Sequence, residues 1–427
     1  MLPRRLLATA SLCLFTAAAA LSAAASQAPA VPSAPAVPSA SDRLARLDRF
    51  LESYVEEEKV AGLVAVVLQD GQVVYEKAVG WRDREARDPM RVDTIFRIAS
   101  QTKAITSAAI LMLVEEGRVR LAEPVSRFIP EFAKTTVAER TDDGVRIVPA
   151  RRQIQIRDLL THTSGISYGM EPHIAGQYRE KGLGPAAGPG WYFADKTDPI
   201  CTSIEKLASL PFVAHPGEAY VYGYSTDVLG CVVERASGMS LDDFFRTRLL
   251  EPLGMADTHF FLPPDKRDRL AVVYASTPDG RSVRADDGPA GQGAYVDGPR
   301  TSYSGGAGLL STAHDYARFL EMVRRGGVHE GKRLLGTRAV GLMTTNQIGD
   351  LRQSGGLGYG YGFETTDRFG ASELDPVGAF GWGGAYGSIY RVDPESRLVM
   401  VLMFQLIPNS TDLRQKFATM VYQAFVD

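Results

Sequence analysis

The chain has few cysteines and histidines and no excess of positive charge. Its 427 residues include 3 Cys and 6 His, and 47 Lys and Arg stand against 50 Asp and Glu, for a formal net charge of -3. The histidines lack the spacing of metal ligands, and no glycine-rich phosphate loop follows a strand-like segment. Without a basic surface the chain is not expected to bind nucleic acid. No metal or organic cofactor is expected.

The one long apolar run lies at the beginning of the sequence. Arg4 and Arg5 precede apolar residues from Leu6 to Leu21, and small residues follow up to Ala25. This order predicts a signal peptide over residues 1–25, followed by a Pro/Ala-rich linker over residues 26–41. The protein is therefore expected to be exported, to the periplasm or the medium, with no stable membrane insertion after cleavage.

Two cysteines remain once the signal peptide, which contains Cys13, is removed. Cys201 and Cys231 would then lie in an oxidising compartment, where a disulfide persists. However, Cys231 lies in the apolar helical segment DVLGCVVE, where a lone buried thiol also packs well. The sequence leaves both alternatives open.

Strand patterns occupy both ends of the mature chain. After a first amphipathic helix that ends near Glu58, two β-rich runs flank Asp70-Gly71, a strong hairpin signal. A second hairpin turns at Asp393-Pro394, and a closing helix follows it. These patterns predict an α/β fold of the α+β type, with an antiparallel sheet built from both chain ends, flanking helices and an inserted, mostly helical subdomain. The predicted α/β part covers about 42–99 and 323–427, and the helical part covers about 100–322.

A serine and a lysine lie three positions apart at the start of an apolar segment. In RIASQTKAIT, residues 97–106, Ser100 precedes Lys103 by three positions, so the two would share one face of a helix. Because residues 104–114 are apolar on every side, this helix is expected to be buried. Desolvation disfavours a charged ammonium, which is one way to turn an amine into a base that activates a hydroxyl.

The same spacing recurs at Ser203 and Lys206, which shows that the spacing alone is weak evidence. The surroundings there are amphipathic, so we interpret this second pair as a capped surface helix. His162 lies where a helix ends and is expected to cap it rather than to act in catalysis. An α/β-hydrolase, whose serine lies in a Gly-x-Ser-x-Gly turn between a strand and a helix, is not expected.

Three segments, taken in chain order, resemble the motifs of one family. They are SQTK at 100–103, PGEAYVYGY at 216–224 and GWGGAYG at 381–387. In this order they resemble the serine β-lactamase and penicillin-binding superfamily, most closely its class C-like branch, which contains the family VIII carboxylesterases. Supporting segments such as IRDLLTHTSGI and GGAGLLSTAHDYARF extend the resemblance from about residue 42 to the C-terminus.

The resemblance implies a role for each matching residue. Ser100 matches the acylated nucleophile and Lys103 its base or hydrogen-bond partner. Tyr222 matches the catalytic tyrosine, with Tyr224 as a competitor because its Tyr-Ser sequence also fits. The backbone N–H groups of Ser100 and Ala385 would form the oxyanion hole. The residues implied for the substrate pocket are Trp382, Gly383, Gly384 and Tyr224.

The implied function is that of a serine hydrolase that cleaves a small-molecule ester or other acyl substrate. Trp382-Gly383-Gly384 stands where β-lactamases usually have Lys-Thr-Gly, and Trp-Gly-Gly there is typical of the esterase branch. A β-lactamase or D-peptidase, an acyltransferase and a non-catalytic binding protein of the same fold are the alternatives. Arg300 is a candidate for restoring the missing positive charge. The oligomeric state is left open.

Overall fold

The computed structural model describes residues 39–184, 190–286 and 292–426. The predicted signal peptide, and the predicted linker up to residue 38, lie outside these ranges. The helices are α1 Ala40–Glu56, α2 Thr102–Glu115, α3 Ile156–Leu160, α4 Ala175–Glu180, α5 Ile200–Leu207, α6 Ser225–Ser237, α7 Leu241–Phe245, α8 Glu251–Leu253, α9 Ala294–Asp297, α10 Ala313–Arg324, α11 Thr337–Thr344 and α12 Leu413–Phe425.

The strands are mostly short, and the longest lie near the two ends of the chain. They are β1 Gly62–Gln69, β2 Gln72–Asp83, β3 Asp88–Pro89, β4 Phe96–Arg97, β5 Thr136–Thr141, β6 Gly144–Pro149, β7 Pro211–Phe212, β8 Tyr274–Ser276, β9 Ser282–Arg284, β10 Leu310–Ser311, β11 Val328–His329, β12 Lys332–Arg333, β13 Leu357–Tyr359, β14 Glu364–Thr366, β15 Phe380–Gly383, β16 Gly387–Asp393 and β17 Leu398–Gln405.

Eight strands from the two ends form one antiparallel sheet in the order β13-β14-β15-β16-β17-β1-β2-β3. The strands β1 and β17 pair along their length, with Leu63 opposite Phe404 and Gln69 opposite Leu398. The turn at Asp70-Gly71 connects β1 to β2, and the chain from Pro394 to Arg397 connects β16 to β17. Both predicted hairpins and the predicted sheet from two chain ends are confirmed.

Both faces of the central strands are apolar, because helices cover the sheet on each side. Along β1, Leu63, Ala65 and Val67 belong to a core with α1 and α12, whereas Val64 and Val66 belong to the larger core that includes α2 and α10. Successive side chains of a strand point to opposite faces, so an unbroken apolar run fits a strand covered on both sides. Strand β15 lies beside the 3-10 turn Ala99–Gln101, which leads into α2.

Residues 100–322 contain most of the shorter helices and several small sheets. One is the three-stranded sheet β6-β5-β7, and another pairs β8 with β9. In the part of the chain that the structure describes, no helix has both the length and the apolar composition needed to cross a bilayer.

A disulfide joins α5 to α6. Cys201 and Cys231 are bonded across a sequence separation of 30 residues. Both side chains are buried, so the apolar surroundings of Cys231 and the disulfide are compatible. Of the two alternatives that the sequence left open, the structure therefore shows the disulfide and not a lone buried thiol.

We expect removal of this disulfide to destabilise the protein without abolishing its fold. In the chain-entropy account, a closed loop of this length stabilises the folded state by about 3 to 4 kcal/mol. The double variant Cys201→Ser/Cys231→Ser should therefore lose roughly that much free energy of unfolding in urea titrations. Alkylation of unreduced wild-type protein should modify neither cysteine, and modification of both would contradict the disulfide.

Candidate active site

Ser100 lies in a strained turn at the entry to a buried helix. A 3-10 turn over Ala99–Gln101 leads directly into α2. Ala99 has φ +42°, a left-handed conformation that costs energy for a residue with a Cβ. From Thr102 to Leu113 every side chain of α2 is buried, as the apolar pattern predicted. The turn presents the partly exposed Ser100 at the edge of this buried helix.

Lys103 is fully buried and points at Ser100. Its Nζ lies 3.2 Å from Ser100 Oγ, and it donates hydrogen bonds to Tyr168 OH at 3.1 Å and to the carbonyl oxygen of Gly306 at 2.8 Å. Its side chain has no exposed surface. A buried amine at hydrogen-bond distance from a serine hydroxyl is the arrangement required of a base that activates the serine.

Tyr222 lies beside the lysine, and Trp382 packs against Tyr222. Lys103 Nζ is 4.7 Å from the centre of the Tyr222 ring, and the indole N–H of Trp382 donates a hydrogen bond to Tyr222 OH at 3.2 Å. The two rings also pack against each other, with centres 5.5 Å apart. Trp382 therefore contributes an N–H that holds the hydroxyl of Tyr222, in addition to its apolar ring.

The structure places Tyr224 away from the nucleophile. Its ring is fully buried, and its hydroxyl bonds to the backbone of Gly190 and accepts a hydrogen bond from Gly184 N at 3.1 Å. Tyr224 does not line the cavity beside Ser100. The prediction that Tyr224 lines the substrate pocket is therefore wrong, because its side chain points into the core and packs against Tyr168.

Tyr168 is the residue that sequence reasoning missed. Its hydroxyl accepts the hydrogen bond from Lys103, and its ring packs edge-on against Tyr222 with centres 5.8 Å apart. Burial raises the pKa of the Tyr168 phenol well above its ordinary value. The segment TSGISYG shows no periodicity that would relate it to Lys103, which lies 65 positions earlier. Only the fold brings the two together.

A cavity of about 750 Å³ opens beside Ser100. Trp382, Gly383 and Gly384, which the resemblance implied for the substrate pocket, line the cavity, and so does Ala385, whose N–H it implied for the oxyanion hole. A Cβ on Gly384 would come within 2.5 Å of the Ile98 carbonyl oxygen. Glycine at this position therefore allows the end of β15 to approach the backbone just before Ser100. Other lining residues are Tyr168, Met170, Gly190, Trp191, Tyr222, Glu364, Ser372, Glu373, Asp375, Ile389, Arg391, Arg414, Gln415 and Ala418.

Two guanidinium groups line the cavity, and neither belongs to Arg300. Arg300 donates to the carbonyl oxygens of Leu262 and Val296 and does not line the cavity, so it does not replace the missing lysine. Arg391 is held by ion pairs to acidic side chains. Arg414, at the start of α12, lies 3.4 Å from the Gly384 carbonyl oxygen, and burial lowers its pKa.

His162 packs against the catalytic tyrosine candidate, Tyr222. It has φ +56° and follows Thr161, the C-cap residue of α3, so it lies at the helix end as the sequence predicted. Its ring packs on Tyr222 with centres 4.6 Å apart. Burial, and then the charge of Lys103, lower the pKa of the His162 imidazole well below its ordinary value. The ring therefore packs as a neutral group.

Two other serines are not placed for catalysis. Residues 165–169, Gly-Ile-Ser-Tyr-Gly, do have the Gly-x-Ser-x-Gly frame, which the expectation against an α/β-hydrolase overlooked. No strand precedes this segment, and the Ser167 hydroxyl is buried and bonded to Glu171 at 2.7 Å. Ser203 lies inside α5 and is buried, so it does not cap that helix as predicted, although Lys206 is exposed and pairs with Asp198.

The chain resembles known proteins along most of its length. A family model described as Beta-lactamase matches residues 47–423. Esterase EstB of Burkholderia gladioli is 34% identical over 376 residues, 84% of this chain and 89% of the esterase. Monacolin J acid methylbutanoyltransferase of Aspergillus terreus is 28% identical over 426 residues, 90% of this chain and 97% of the transferase. The solved structure of EstCE1, described as a hydrolase with promiscuous acyltransferase activity, superposes with a TM-score of 0.77 at 25% identity and covers 91% of this chain and 99% of EstCE1.

Proposed function

The chain belongs to the Beta-lactamase family and is an esterase-like serine hydrolase, and from that premise we propose that it cleaves carboxylic esters through an acyl-enzyme on Ser100. The observation that carries the proposal is the fully buried Lys103, with its Nζ 3.2 Å from Ser100 Oγ. The cavity beside Ser100 provides space for a substrate of moderate size.

The mechanism begins with proton transfer from Ser100 to the Lys103/Tyr222 pair. Oγ attacks the ester carbonyl carbon, and the carbonyl electron pair moves to the oxygen. The N–H groups of Ser100 and Ala385 stabilise that oxyanion. The leaving alcohol takes the proton from the pair as the ester bond breaks. Water then attacks the acyl-enzyme, and its proton passes through the same pair to Ser100 Oγ.

The cavity favours neutral, short-chain esters over substrates with a carboxylate. In the β-lactamase pattern the lysine of Lys-Thr-Gly helps to hold that carboxylate, and here an indole stands in its place. A charge-assisted hydrogen bond contributes about 1.5 to 3 kcal/mol, so its loss lowers turnover of such substrates by roughly ten- to a hundredfold. The apolar ring of Trp382 costs a neutral ester nothing.

We therefore expect a higher kcat/KM for p-nitrophenyl butyrate than for a chromogenic cephalosporin or a D-alanyl peptide. A clear preference for the cephalosporin would contradict the esterase assignment. Arg414→Met is the matched variant, because Arg414 is the lining guanidinium beside Gly384. If Arg414 replaces the lost lysine, this variant should lower turnover of the cephalosporin and leave that of the neutral ester nearly unchanged.

Acyl transfer to an alcohol is the second candidate function. Similar proteins include one named as a methylbutanoyltransferase and one described as a hydrolase with acyltransferase activity. An alcohol that enters the cavity in place of water would give an ester rather than an acid from the same acyl-enzyme. Chromatography of products formed with and without an added alcohol distinguishes the two outcomes.

We also propose that the protein is exported to the periplasm or the medium. The signal-peptide pattern over residues 1–25 and the disulfide between Cys201 and Cys231 support it. N-terminal sequencing of the mature protein should begin near Ser26. Recovery of the unprocessed chain from the cytoplasm alone would contradict export.

A further inference from the structure

The carboxylate of Asp227 is fully buried close to the catalytic centre, and the mechanism above does not use it. Asp227 lies in the first turn of α6, shortly after Tyr222. Its Oδ1 accepts a hydrogen bond from Ser304 Oγ at 2.5 Å and another from Gly306 N at 3.1 Å. Among the described residues, neither oxygen of Asp227 forms an ion pair, and Oδ2 has no hydrogen-bond partner.

The same loop that binds Asp227 also binds Lys103. Gly306 donates its N–H to Asp227 and accepts the hydrogen bond of Lys103 Nζ at its carbonyl oxygen, at 2.8 Å. A Cβ on Gly306 would lie 2.3 Å from Asp227 Oδ2, so only glycine allows this close approach. Two more hydrogen bonds fix the loop to α2, from Thr106 Oγ1 to the Gly305 carbonyl oxygen at 2.6 Å and from Leu309 N to Thr102 Oγ1 at 3.1 Å.

Besides its hydrogen bond to the Gly306 loop, the buried carboxylate of Asp227 acts on Lys103 through its charge. When Lys103 accepts the proton of Ser100, a positive charge forms on a group with no exposed surface. A buried charge is costly unless an opposite charge lies near it. Burial raises the pKa of Asp227, and the charge of Lys103 is the largest influence in the opposite direction. The two groups therefore stabilise each other in their charged forms.

We propose that Asp227 is a positioning residue that orients Lys103 through the backbone of Gly306 and balances the positive charge that Lys103 acquires during acylation. This inference rests on the proposed function, because it assigns Lys103 the proton of Ser100. It adds a third member to the pair of Ser100 and Lys103, connected by a backbone carbonyl instead of a direct side-chain contact.

The test is Asp227→Asn, which keeps the shape of the side chain and an oxygen acceptor for Ser304 and Gly306 but removes the charge. We expect kcat for p-nitrophenyl butyrate, and the rate of labelling by a fluorophosphonate, to fall by roughly 10- to 100-fold. KM should change by less than about threefold, because Asp227 does not contact the substrate. If Asp227 only anchored the loop, the variant would retain both rates, and that result would overturn the proposal.

Asp315→Asn is the control for stability, and Asp315 differs from Asp227 in that it also forms an ion pair with Arg318 at 2.8 Å. Asp315 is also buried, and it accepts hydrogen bonds from a backbone N–H and a hydroxyl, those of Asp257 and Thr258, at 2.8 and 3.1 Å. Burial raises its pKa as well, but it does not line the cavity. If Asp315→Asn lowers the melting temperature as much as Asp227→Asn and keeps kcat, the loss in Asp227→Asn is not one of stability.

A second comparison separates this proposal from the proposed function. Lys103→Ala should lose nearly all labelling at Ser100. If neither wild-type protein nor any variant is labelled at Ser100, the proposed function is wrong, and if Lys103→Ala retains labelling, Lys103 is not the base. If Lys103→Ala loses labelling whereas Asp227→Asn does not, only the role of Asp227 is wrong.

Discussion

Replacement of Ser100 by alanine should abolish ester hydrolysis while the protein remains folded. Loss of a covalent nucleophile costs on the order of 10⁶ in kcat. The side chain is partly exposed at the edge of the cavity, and its removal leaves the packing of α2 unchanged. The measurement is kcat for p-nitrophenyl butyrate, with circular dichroism and the melting temperature as checks of folding.

Ser203→Ala is the control for this experiment. Ser203 has the same spacing to a lysine, but the structure places it inside α5 and away from the cavity. The Ser203→Ala variant should retain nearly all esterase activity. Substantial turnover by purified Ser100→Ala protein would contradict the mechanism.

The second large effect is expected from Tyr222→Phe. Loss of a group that transfers a proton in the transition state costs about 10²- to 10⁴-fold in rate. The ring of Tyr222 faces Lys103 Nζ, and Trp382 fixes its hydroxyl. Because phenylalanine preserves the ring contacts, the fold should be kept and kcat should fall far more than KM changes.

Two further tyrosine variants determine whether Tyr222 is assigned correctly. Tyr224→Phe should affect stability more than kcat, since its hydroxyl bonds only to backbone in the described part of the chain. Tyr168→Phe removes one hydrogen-bond partner of Lys103 and should have an intermediate effect. A larger loss in Tyr168→Phe than in Tyr222→Phe would transfer the proton-transfer role to Tyr168.

The sheet could be predicted from the sequence because its signals are local. Asp70-Gly71 between two β-rich runs determines one hairpin, and the segment around Asp393-Pro394 determines the other. The buried α2 follows from its apolar residues, which need no partner to be recognised. For the site, the order of the motifs carried the resemblance, and Ser100 and Lys103 meet because the 3-10 turn that contains Ser100 continues directly into α2.

Other parts of the site depend on contacts between distant segments. Tyr168 reaches Lys103, and Gly306 reaches Asp227, only because loops far apart in sequence pack on α2 and α6. Tyr224 lies two positions after Tyr222, yet its side chain points to the buried side. No sequence period distinguishes the two. The disulfide likewise required α5 and α6 to pack together, a contact that the spacing of two cysteines does not determine.

The central claim is that Ser100 is a nucleophile that forms a covalent acyl-enzyme. Labelling with a fluorophosphonate, followed by peptide mass spectrometry, tests it most directly, because the reagent bonds only to an activated serine. The account predicts one phosphonyl group per chain, on the peptide that contains Ser100, and none on the Ser100→Ala variant. An adduct on Ser167 or another serine, or no adduct on wild-type protein that hydrolyses esters, would contradict it.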